Sequence, residues 1–356
     1  MRVSRLLSFA SVATAAIFLV SCDRKRSPNW ELPEVAKTSI TTGLADVPDP
    51  EAPLAPQISQ IDPDAKPTNR DQLPSTAKTD NSKDELRFIA YNVENWLTMD
   101  RFTGKKMVKG APKPESEKNA IVKILVSNTP DVIGICEIGE AADLAEIQEL
   151  LKAQGLDLPH SHFTSGFDPV RRLGLLSRYP IVATAKAAEM KYRMQGRTFG
   201  INRGILDATI STNGKFYRFL GVHLKSKREV QEGDQEQMRI NEAHLLRKHV
   251  NSIFRTDPKV RLIVYGDLND SYPSKAVRIV TGSTDVNKRL MPIYFKDRNA
   301  EAWTYHWKDQ DIYSRIDFVT ISDALRNEIN FSKCRIIDDP GWDSASDHRA
   351  LLAVLK

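Results

Sequence analysis

The pattern of hydrophobic and polar positions divides the chain into a front part and a back part. In the front part, a mostly apolar run covers residues 6–20, and residues 23–84 show neither helical nor strand periodicity. In the back part, short apolar runs alternate with polar turns from residue 85 to residue 356. Because such periodic patterns are the main signal of secondary structure, the sequence predicts one folded domain at 85–356.

The back part predicts many strands and few long helices. Helices are predicted over 117–127 and 234–254, where apolar residues recur at helical spacing. Strands are predicted over 86–92, 131–137, 173–177, 201–210, 216–224, 260–265, 315–321, 334–337 and 350–355. The longer strands are apolar on both faces, so both faces must be covered. This pattern predicts an α/β domain of packed sheets with helices outside them.

The N-terminus has the pattern of an export signal. Arg2 and Arg5 precede the apolar run, and small residues follow it. This order is typical of a secretory signal peptide, and the run is short for a transmembrane helix. Residues 1–21 are therefore predicted to be a signal peptide. Residues 22–84, rich in Pro, Asp, Ala, Thr and Ser, are predicted to be a disordered stalk, since they cannot bury enough apolar surface to fold.

The segment Leu19-Val20-Ser21-Cys22 resembles a bacterial lipoprotein processing site. The resemblance implies that cleavage leaves Cys22 as the first residue and that Cys22 carries lipid. Buried acyl methylenes contribute about 0.8 kcal/mol each, so the lipid would serve as a membrane anchor. The protein is then expected in the cell envelope, exported and anchored through Cys22. An ordinary signal peptide with a chance cysteine is the alternative.

Charge and cysteine content add two smaller points. The net charge is +5, and residues 22–84 hold more acidic than basic residues, so the domain itself is mildly basic. This charge suits a phosphorylated substrate but does not specify one. Cys136 lies in an apolar run and is predicted to pack as a small buried hydrophobe. A disulfide between Cys136 and Cys334 is possible, but the sequence does not decide whether it forms. The sequence has no cysteine spacing typical of a zinc site.

Several predicted strands end in side chains suited to metal binding or proton transfer. These residues are Asn92, Glu137, His223, Asp267, Asn269, Asp317, Asp347 and His348. Each alone has a structural explanation, such as a turn cap or a hydrogen-bonded core histidine. If neighbouring strands end at one edge, however, the side chains converge on one pocket. Mg²⁺ prefers oxygen ligands, so Glu137 at the end of an apolar strand is the best candidate ligand.

The segments around these residues resemble, in order, the motifs of the endonuclease/exonuclease/phosphatase superfamily (DNase I-like). They are Tyr91-Asn92-Val93-Glu94-Asn95, Ile135-Cys136-Glu137-Ile138, Leu173-Gly174-Leu175-Leu176-Ser177-Arg178-Tyr179-Pro180, Gly221-Val222-His223-Leu224-Lys225-Ser226, Gly266-Asp267-Leu268-Asn269-Asp270, Arg315-Ile316-Asp317-Phe318 and Ser346-Asp347-His348-Arg349-Ala350. The resemblance covers residues 86 to 355. It implies two face-to-face mixed β-sheets flanked by helices, a four-layer α/β sandwich. It also implies divalent-metal-dependent hydrolysis of phosphodiester bonds.

The resemblance also implies a role for each site residue. The implied metal ligands are Asn92, Glu137 and Asp347, and the implied catalytic residues are His223, Asp267, Asn269, Asp317 and His348. Asp267 and Asn269 would position and activate the attacking water, and their spacing would place both side chains on one face of an extended segment. Asp317 would orient His348 and raise its pKa. The implied phosphate ligands are Arg203, Asn269 and His223, although a surface ion pair explains Arg203 equally well.

The substrate is the least determined part of the prediction. Basic residues cluster in loops beside the motifs, at Arg171, Arg172, Lys191, Arg193, Arg197, Lys225, Lys227 and Arg228. They could follow a nucleic-acid backbone or simply be solvated. Trp303, Tyr305 and Trp307 could stack bases or touch lipid, but packing under the next strand is the favoured interpretation.

We therefore predict a monomeric, extracytoplasmic nuclease that acts on DNA or RNA. Its expected cofactor is Mg²⁺, with Mn²⁺ or Ca²⁺ as alternatives. A phosphatase or a phospholipid or sphingomyelin phosphodiesterase on the same fold is the alternative. A non-catalytic binding protein fits less well, because the set of polar strand ends is intact.

Overall fold

Two six-stranded sheets dominate the computed structural model, which describes residues 85–102, 105–282 and 288–356. The strands of the first sheet, in spatial order, are β17 (Arg335–Ile336), β18 (Leu351–Leu355), β1 (Leu86–Trp96), β4 (Val132–Ile138), β6 (Arg172–Ser177) and β5 (His160–Thr164). Strands β1 and β4 are parallel, and the other pairs are antiparallel. The sheet is therefore mixed.

The second sheet is also mixed. Its strands, in spatial order, are β13 (Met291–Pro292), β16 (Asp317–Ile321), β12 (Leu262–Asp267), β11 (Lys215–His223), β10 (Ile205–Thr212) and β7 (Ile181–Thr184). Strands β11 and β12 are parallel, and the other pairs are antiparallel. Three two-stranded hairpins complete the strands: β2 (Met99–Phe102) with β3 (Met107–Ala111), β8 (Lys191–Met194) with β9 (Arg197–Gly200), and β14 (Tyr305–Trp307) with β15 (Ile312–Ser314).

The two sheets pack face to face through a shared apolar core. The ring of Phe88 on β1 lies 5.0 Å from Phe219 on β11 and 4.9 Å from Tyr265 on β12. A side chain at Gly134 or Gly221 would overlap the Tyr265 ring, so these two glycines make room for it. Close packing of this kind fixes the spacing between the sheets.

Helices cover the outer faces of both sheets. They are α1 (Glu115–Asn128), α2 (Ala141–Ala153), α3 (Gln235–Thr256), α4 (Lys275–Thr281) and the short α5 (Trp342–Ala345), with a 3₁₀ turn at Asp323–Leu325. Helices α1 and α2 bury apolar residues against the first sheet, and α3 and α4 against the second. The α3 helix begins after Asp234, whose side chain accepts a hydrogen bond from the backbone N–H of Gln237. The predicted four-layer α/β sandwich is confirmed.

The predicted elements differ from the structure mainly at their ends. The strand predicted over 201–210 begins only at Ile205, because residues 201–204 form a loop that carries Arg203. Helix α2 and the three hairpins were not predicted. Cys136 is buried as expected, and neither Cys136 nor Cys334 forms a disulfide. Among the described residues, no helix is long and apolar enough to cross a membrane. The predicted signal peptide, the Cys22 lipidation site and the stalk lie outside the described residues.

Candidate active site

The strand register brings the polar strand ends of both sheets together. In the second sheet, His223 pairs with Asp267 across β11 and β12, and Asp267 pairs with Asp317 across β12 and β16. In the first sheet, β1 and β4 run parallel, and Asn92 pairs with Cys136, the neighbour of Glu137. Parallel strands deliver their carboxyl ends to one edge, so the pattern of polar strand ends becomes a pocket.

The backbone leaves regular strand geometry at this edge. Four non-glycine residues have left-handed backbone, with φ of 48° at Glu94, 59° at Asn95, 68° at Glu137 and 50° at Asn269. The β1–β4 register also shifts between Asn92 and Trp96. Left-handed backbone costs non-glycine residues on the order of 1–3 kcal/mol and is concentrated at functional sites. At these bends, Glu94 reaches the backbone N–H of Asp347, and Glu137 reaches the amide of Asn92.

Asp267 lies at the centre of the pocket. The amide nitrogen of Asn92, Nδ2, lies 3.2 Å from Oδ2 of Asp267 and 3.3 Å from Oε1 of Glu137. The Nε2 atom of His223 lies 3.5 Å from the same Asp267 oxygen, and Nε2 of His348 lies 3.8 Å from it. Three of the predicted site residues, Asn92, His223 and His348, therefore surround Asp267, and Glu137 is joined to them through Asn92.

Burial and the neighbouring carboxylate of Asp317 raise the pKa of Asp267 to about 7. Burial also raises the pKa of Asp347, with Glu137 and Asp317 adding to the shift. The pocket therefore concentrates negative charge in a poorly solvated place, and a divalent cation would relieve this repulsion. The oxygen-rich donor set fits such an ion.

Asp317 and His348 form the buried pair that the sequence predicted. Oδ2 of Asp317 lies 2.8 Å from Nδ1 of His348, and the two side chains are only 8% and 6% exposed. Burial alone would lower the pKa of His348, but Asp317, Asp347 and Asp267 together hold it well above its usual value. His348 is therefore a cation near neutral pH, with Nε2 turned toward the pocket.

His223, unlike His348, is held in the neutral state. It is 2% exposed, and burial lowers its pKa well below the usual value, helped by Arg203, His348 and Arg171. Among the described residues, its Nδ1 atom has no hydrogen-bond partner. The pocket thus holds one charged and one neutral histidine, and this separation of pKa values is the usual basis for dividing acid and base roles.

The structure places Asn92 and Asn269 differently from the sequence expectation. Oδ1 of Asn92 accepts a hydrogen bond of 3.1 Å from the backbone N–H of Glu94, so the amide turns its nitrogen toward the carboxylates. As a metal ligand, Asn92 would have to turn this oxygen into the pocket. Asn269 does not continue an extended segment, because its φ is 50°. Its backbone N–H bonds Oδ1 of Asp267 at 2.7 Å, so a turn rather than strand alternation brings it beside Asp267.

Basic side chains lie at the rim of the pocket. Arg203 is 7% exposed, and its Nε atom lies 3.4 Å from Oδ2 of Asp168. The ion pair that was the alternative to a phosphate ligand is therefore present, but it is largely buried rather than on the surface. Among the described residues, its Nε and NH1 atoms have no hydrogen-bond partner. Nε of Arg171 donates to Oδ1 of Asn95 at 2.8 Å and lies 3.8 Å from Glu137. Arg171 and Arg203 therefore place positive charge beside Glu137 and His223.

Glu242 on α3 holds two of the rim loops and was not predicted. Its two carboxylate oxygens accept hydrogen bonds from the backbone N–H groups of Asn202, at 2.9 Å, and Lys225, at 2.6 Å. It is fully buried, and burial raises its pKa to about 7. No motif marked it, because it sits on a helix whose pattern predicts only packing.

Glu94 and Tyr305 were also missed as site residues. Oε2 of Glu94 accepts a hydrogen bond of 3.0 Å from the backbone N–H of Asp347, and the Tyr305 ring lies 4.8 Å from the His348 ring. Glu94 lies inside the motif at residues 91–95, so its position in the sequence was a usable signal. Tyr305 was considered only within an aromatic group. Its neighbour Trp303 packs as predicted, against Arg349, Tyr313 and Trp342.

Comparison with known proteins agrees with this geometry. Residues 68–337 match the Endonuclease/Exonuclease/phosphatase family, and the chain belongs to this family. Enzymes of the family hydrolyse phosphoester bonds and generally depend on divalent metal ions. None of the curated proteins matches the chain in sequence.

Three solved structures with the same fold illustrate the range of the family. The endonuclease/exonuclease/phosphatase from Bacteroides vulgatus has a TM-score of 0.56 at 15% identity and covers 77% of this chain and 99% of its own. Sphingomyelinase C from Streptomyces griseocarneus has a TM-score of 0.53 at 13% identity, over 77% of this chain and 100% of its own. The human Nocturnin catalytic domain with bound sulfate has a TM-score of 0.52 at 18% identity, over 76% of this chain and 94% of its own. At these identities the similarity shows the fold.

Proposed function

We propose that residues 85–356 form a divalent-metal-dependent phosphodiesterase, and that it is a nuclease that cleaves DNA or RNA outside the cytoplasm. The observation that carries the proposal is the pocket around Asp267. Its carboxylate lies within 3.8 Å of side-chain nitrogens of Asn92, His223 and His348. Of the two histidines, His348 is charged and His223 is neutral. A purely structural cluster would not need a charged and a neutral histidine around one carboxylate.

Glu137 and Asp347 would hold the metal ion, with Asn92 beside them if its amide turned. Single ligand atoms of Asp267, Asp317 and His348 also lie within 4.8 Å of one another. We assign that group to proton transfer and phosphate binding instead, because the raised pKa of His348 keeps the imidazole protonated and a protonated imidazole is a poor ligand. A bound ion, taken as Mg²⁺ with Mn²⁺ or Ca²⁺ as alternatives, would neutralise charge that builds on the phosphoryl oxygens.

The protein groups supply the remaining chemistry. Asp267, with a pKa of about 7, accepts a proton from the attacking water, and Asn269 orients that water. His348, charged and held by Asp317, donates a hydrogen bond to a phosphate oxygen from Nε2. His223 is neutral and close to Asp267, so it binds phosphate without adding charge. The roles of His348 and His223 use the protonation states that their surroundings favour.

The charged rim supports a nucleic-acid substrate. Arg203, Arg171 and Lys225 all lie near enough to His223 to lower its pKa, so they would add positive charge around a phosphate bound beside His223. Contacts of this kind with a phosphate backbone make binding fall steeply with salt. A lipid phosphodiesterase is the second candidate. The loop that carries Asp168 and Arg171 exposes Phe167 by 52% and Val170 by 40%, and exposed apolar side chains beside cations suit a lipid surface.

We also propose that the enzyme is an exported lipoprotein. Residues 1–21 would be the signal peptide, Cys22 would carry the lipid, and residues 22–84 would be the stalk that holds the domain away from the membrane. The support is the sequence pattern of the N-terminus. We expect a monomer.

A substrate panel tests the proposed activity. The full chain is incubated with plasmid DNA, RNA, an aryl phosphodiester, an inositol phosphate and sphingomyelin vesicles, each with Mg²⁺ or with EDTA. We expect DNA or RNA cleavage that requires Mg²⁺ and weakens with salt. Cleavage of sphingomyelin alone would assign the enzyme to lipids, and undiminished hydrolysis in EDTA would contradict the metal requirement.

A further inference from the structure

The β14 strand is attached directly to the segment that carries His348. Tyr305 forms an isolated antiparallel bridge with His348. The backbone N–H of His306 donates to the carbonyl of Asp347 at 2.9 Å, and the N–H of Arg349 donates to the carbonyl of Thr304 at 2.7 Å. The position of Tyr305 relative to His348 is therefore set by the backbone.

Thr304, the residue that precedes β14, also holds Asp317, the partner of His348. The Thr304 hydroxyl accepts hydrogen bonds of 3.1 Å from the backbone N–H groups of Ile316 and Asp317. The Tyr305 ring lies 4.8 Å from the His348 ring, tilted by 43°. Residues 304 and 305 thus contact both members of the Asp317–His348 pair, and the Tyr305 ring packs beside the imidazole.

The Tyr305 hydroxyl is a donor without an acceptor. Across the described part of the chain, the structure gives it no hydrogen-bond partner, and the side chain is only partly buried. Burial raises its pKa to about 12, and the carboxylates of Asp347, Asp267, Glu137 and Glu94 add to the shift. The hydroxyl therefore lies in the electric field of the pocket carboxylates and stays protonated near neutral pH.

We propose that Tyr305 is a further catalytic residue, whose hydroxyl donates a hydrogen bond to a non-bridging oxygen of the scissile phosphate. The proposal rests on the phosphodiesterase function proposed above. A phenol this weakly acidic is unsuited to protonating a leaving group near pH 7. It suits an oxygen that gains negative charge without gaining a proton, and a fixed donor at such an oxygen favours the transition state over the ground state.

The test compares Tyr305→Phe with Tyr313→Phe in the full chain. Tyr305→Phe keeps the ring beside His348 and removes only the hydroxyl. Tyr313 lies in the same hairpin, but its ring stacks on His306 and its hydroxyl interacts with Asp311, so it serves as the matched control. Both variants are assayed with Mg²⁺ on aryl phosphodiesters whose leaving groups differ in acidity, and melting temperatures are measured.

We expect Tyr305→Phe to lower kcat by about 10- to 100-fold, since a hydrogen bond to a charged group contributes about 1.5–3 kcal/mol. The expected loss is the same for every leaving group, with KM and melting temperature little changed and Tyr313→Phe equal to the native protein. The proposal would be overturned if Tyr305→Phe had the same kcat as the native protein, or if Tyr313→Phe lost as much kcat as Tyr305→Phe. A loss that grows as the leaving group becomes less acidic would place the hydroxyl on the leaving oxygen instead and also overturn it.

Binding of orthovanadate, measured by calorimetry with Mg²⁺, separates this proposal from the proposed function. Vanadate resembles the five-coordinate phosphoryl group, so we expect its Kd to rise about tenfold or more in Tyr305→Phe, the equivalent of one lost donor. Equal vanadate affinity in the native protein and Tyr305→Phe would refute the role of Tyr305. If the native protein hydrolyses no phosphodiester, the proposed function fails, while the vanadate comparison still decides whether the hydroxyl contacts a phosphoryl oxygen.

Discussion

The Asp317–His348 pair gives the sharpest test of the proposed chemistry. The two side chains meet at 2.8 Å and are nearly completely buried, so solvent cannot replace either one. Asp317→Asn keeps the size of the side chain and removes its charge. His348→Asn removes the imidazole. If Asp317 acts by orienting and charging His348, the two side chains contribute as one unit.

The structure sets the expected size of each effect. Removing one fixed donor to charge that develops in the transition state costs roughly 10²- to 10³-fold in kcat, so each single variant should lose at least about 10²-fold. Breaking a buried charge pair costs about 3–5 kcal/mol when the other charge is left alone. Here Asp267 and Asp347 also lie 3.8 Å from Nε2 of His348, so we expect Asp317→Asn to lose less stability than that range.

The assay is a double-mutant cycle on kcat/KM with one phosphodiester substrate. We expect the double variant to be about as slow as the slower single variant, because residues that act as a unit are strongly non-additive. Urea unfolding of all four proteins controls for stability. Multiplicative losses, with the double variant slower by the product of the two single effects, would refute the reasoning and show that each residue acts separately.

Three further predictions follow from other parts of the chain. Glu137→Gln should abolish hydrolysis and Mg²⁺ binding by calorimetry, whereas the exposed control Glu189→Gln should not; a Glu137→Gln variant that still binds Mg²⁺ would remove Glu137 from the metal site. Burial raises the folded-state pKa of Glu242 to about 7 from 4.5. The free energy of unfolding should therefore fall by about 3 kcal/mol as the pH rises from about 4.5 to 7, because ionisation is less favourable in the native protein. Glu242→Gln should reduce this pH dependence, as measured by urea unfolding at several pH values. Cys22→Ser should release the protein from the membrane fraction, and continued membrane association would favour a signal anchor.

Local pattern was sufficient to predict most of the fold. Strands such as 131–137 and 350–355 are apolar on both faces and end at polar residues, which identifies buried strands and their boundaries without any tertiary information. The shorter hairpins were missed because their strands are only three to five residues long and largely exposed, so they carry little hydrophobic signal. Helix α2 has the necessary apolar spacing at Leu144, Ile147 and Leu151, and was overlooked beside the stronger strand signals.

The sequence by itself predicted the polar strand ends that meet in the pocket, because strand ends and motif order are local properties that can be read along the chain, but it missed Glu94, Glu242 and Tyr305. Only the tertiary structure decided how those residues touch. Asn92 and His348 are 256 residues apart, and their contact depends on the register of both sheets. The turn at Asn269, the direction of the Asn92 amide, the Glu242 bridge between two loops and the packing of Tyr305 on His348 all arise from that register. The charge states of His223 and His348 were likewise decided by the tertiary structure. The two side chains have equal intrinsic acidity, and only burial and neighbouring charges make His348 a cation and leave His223 neutral.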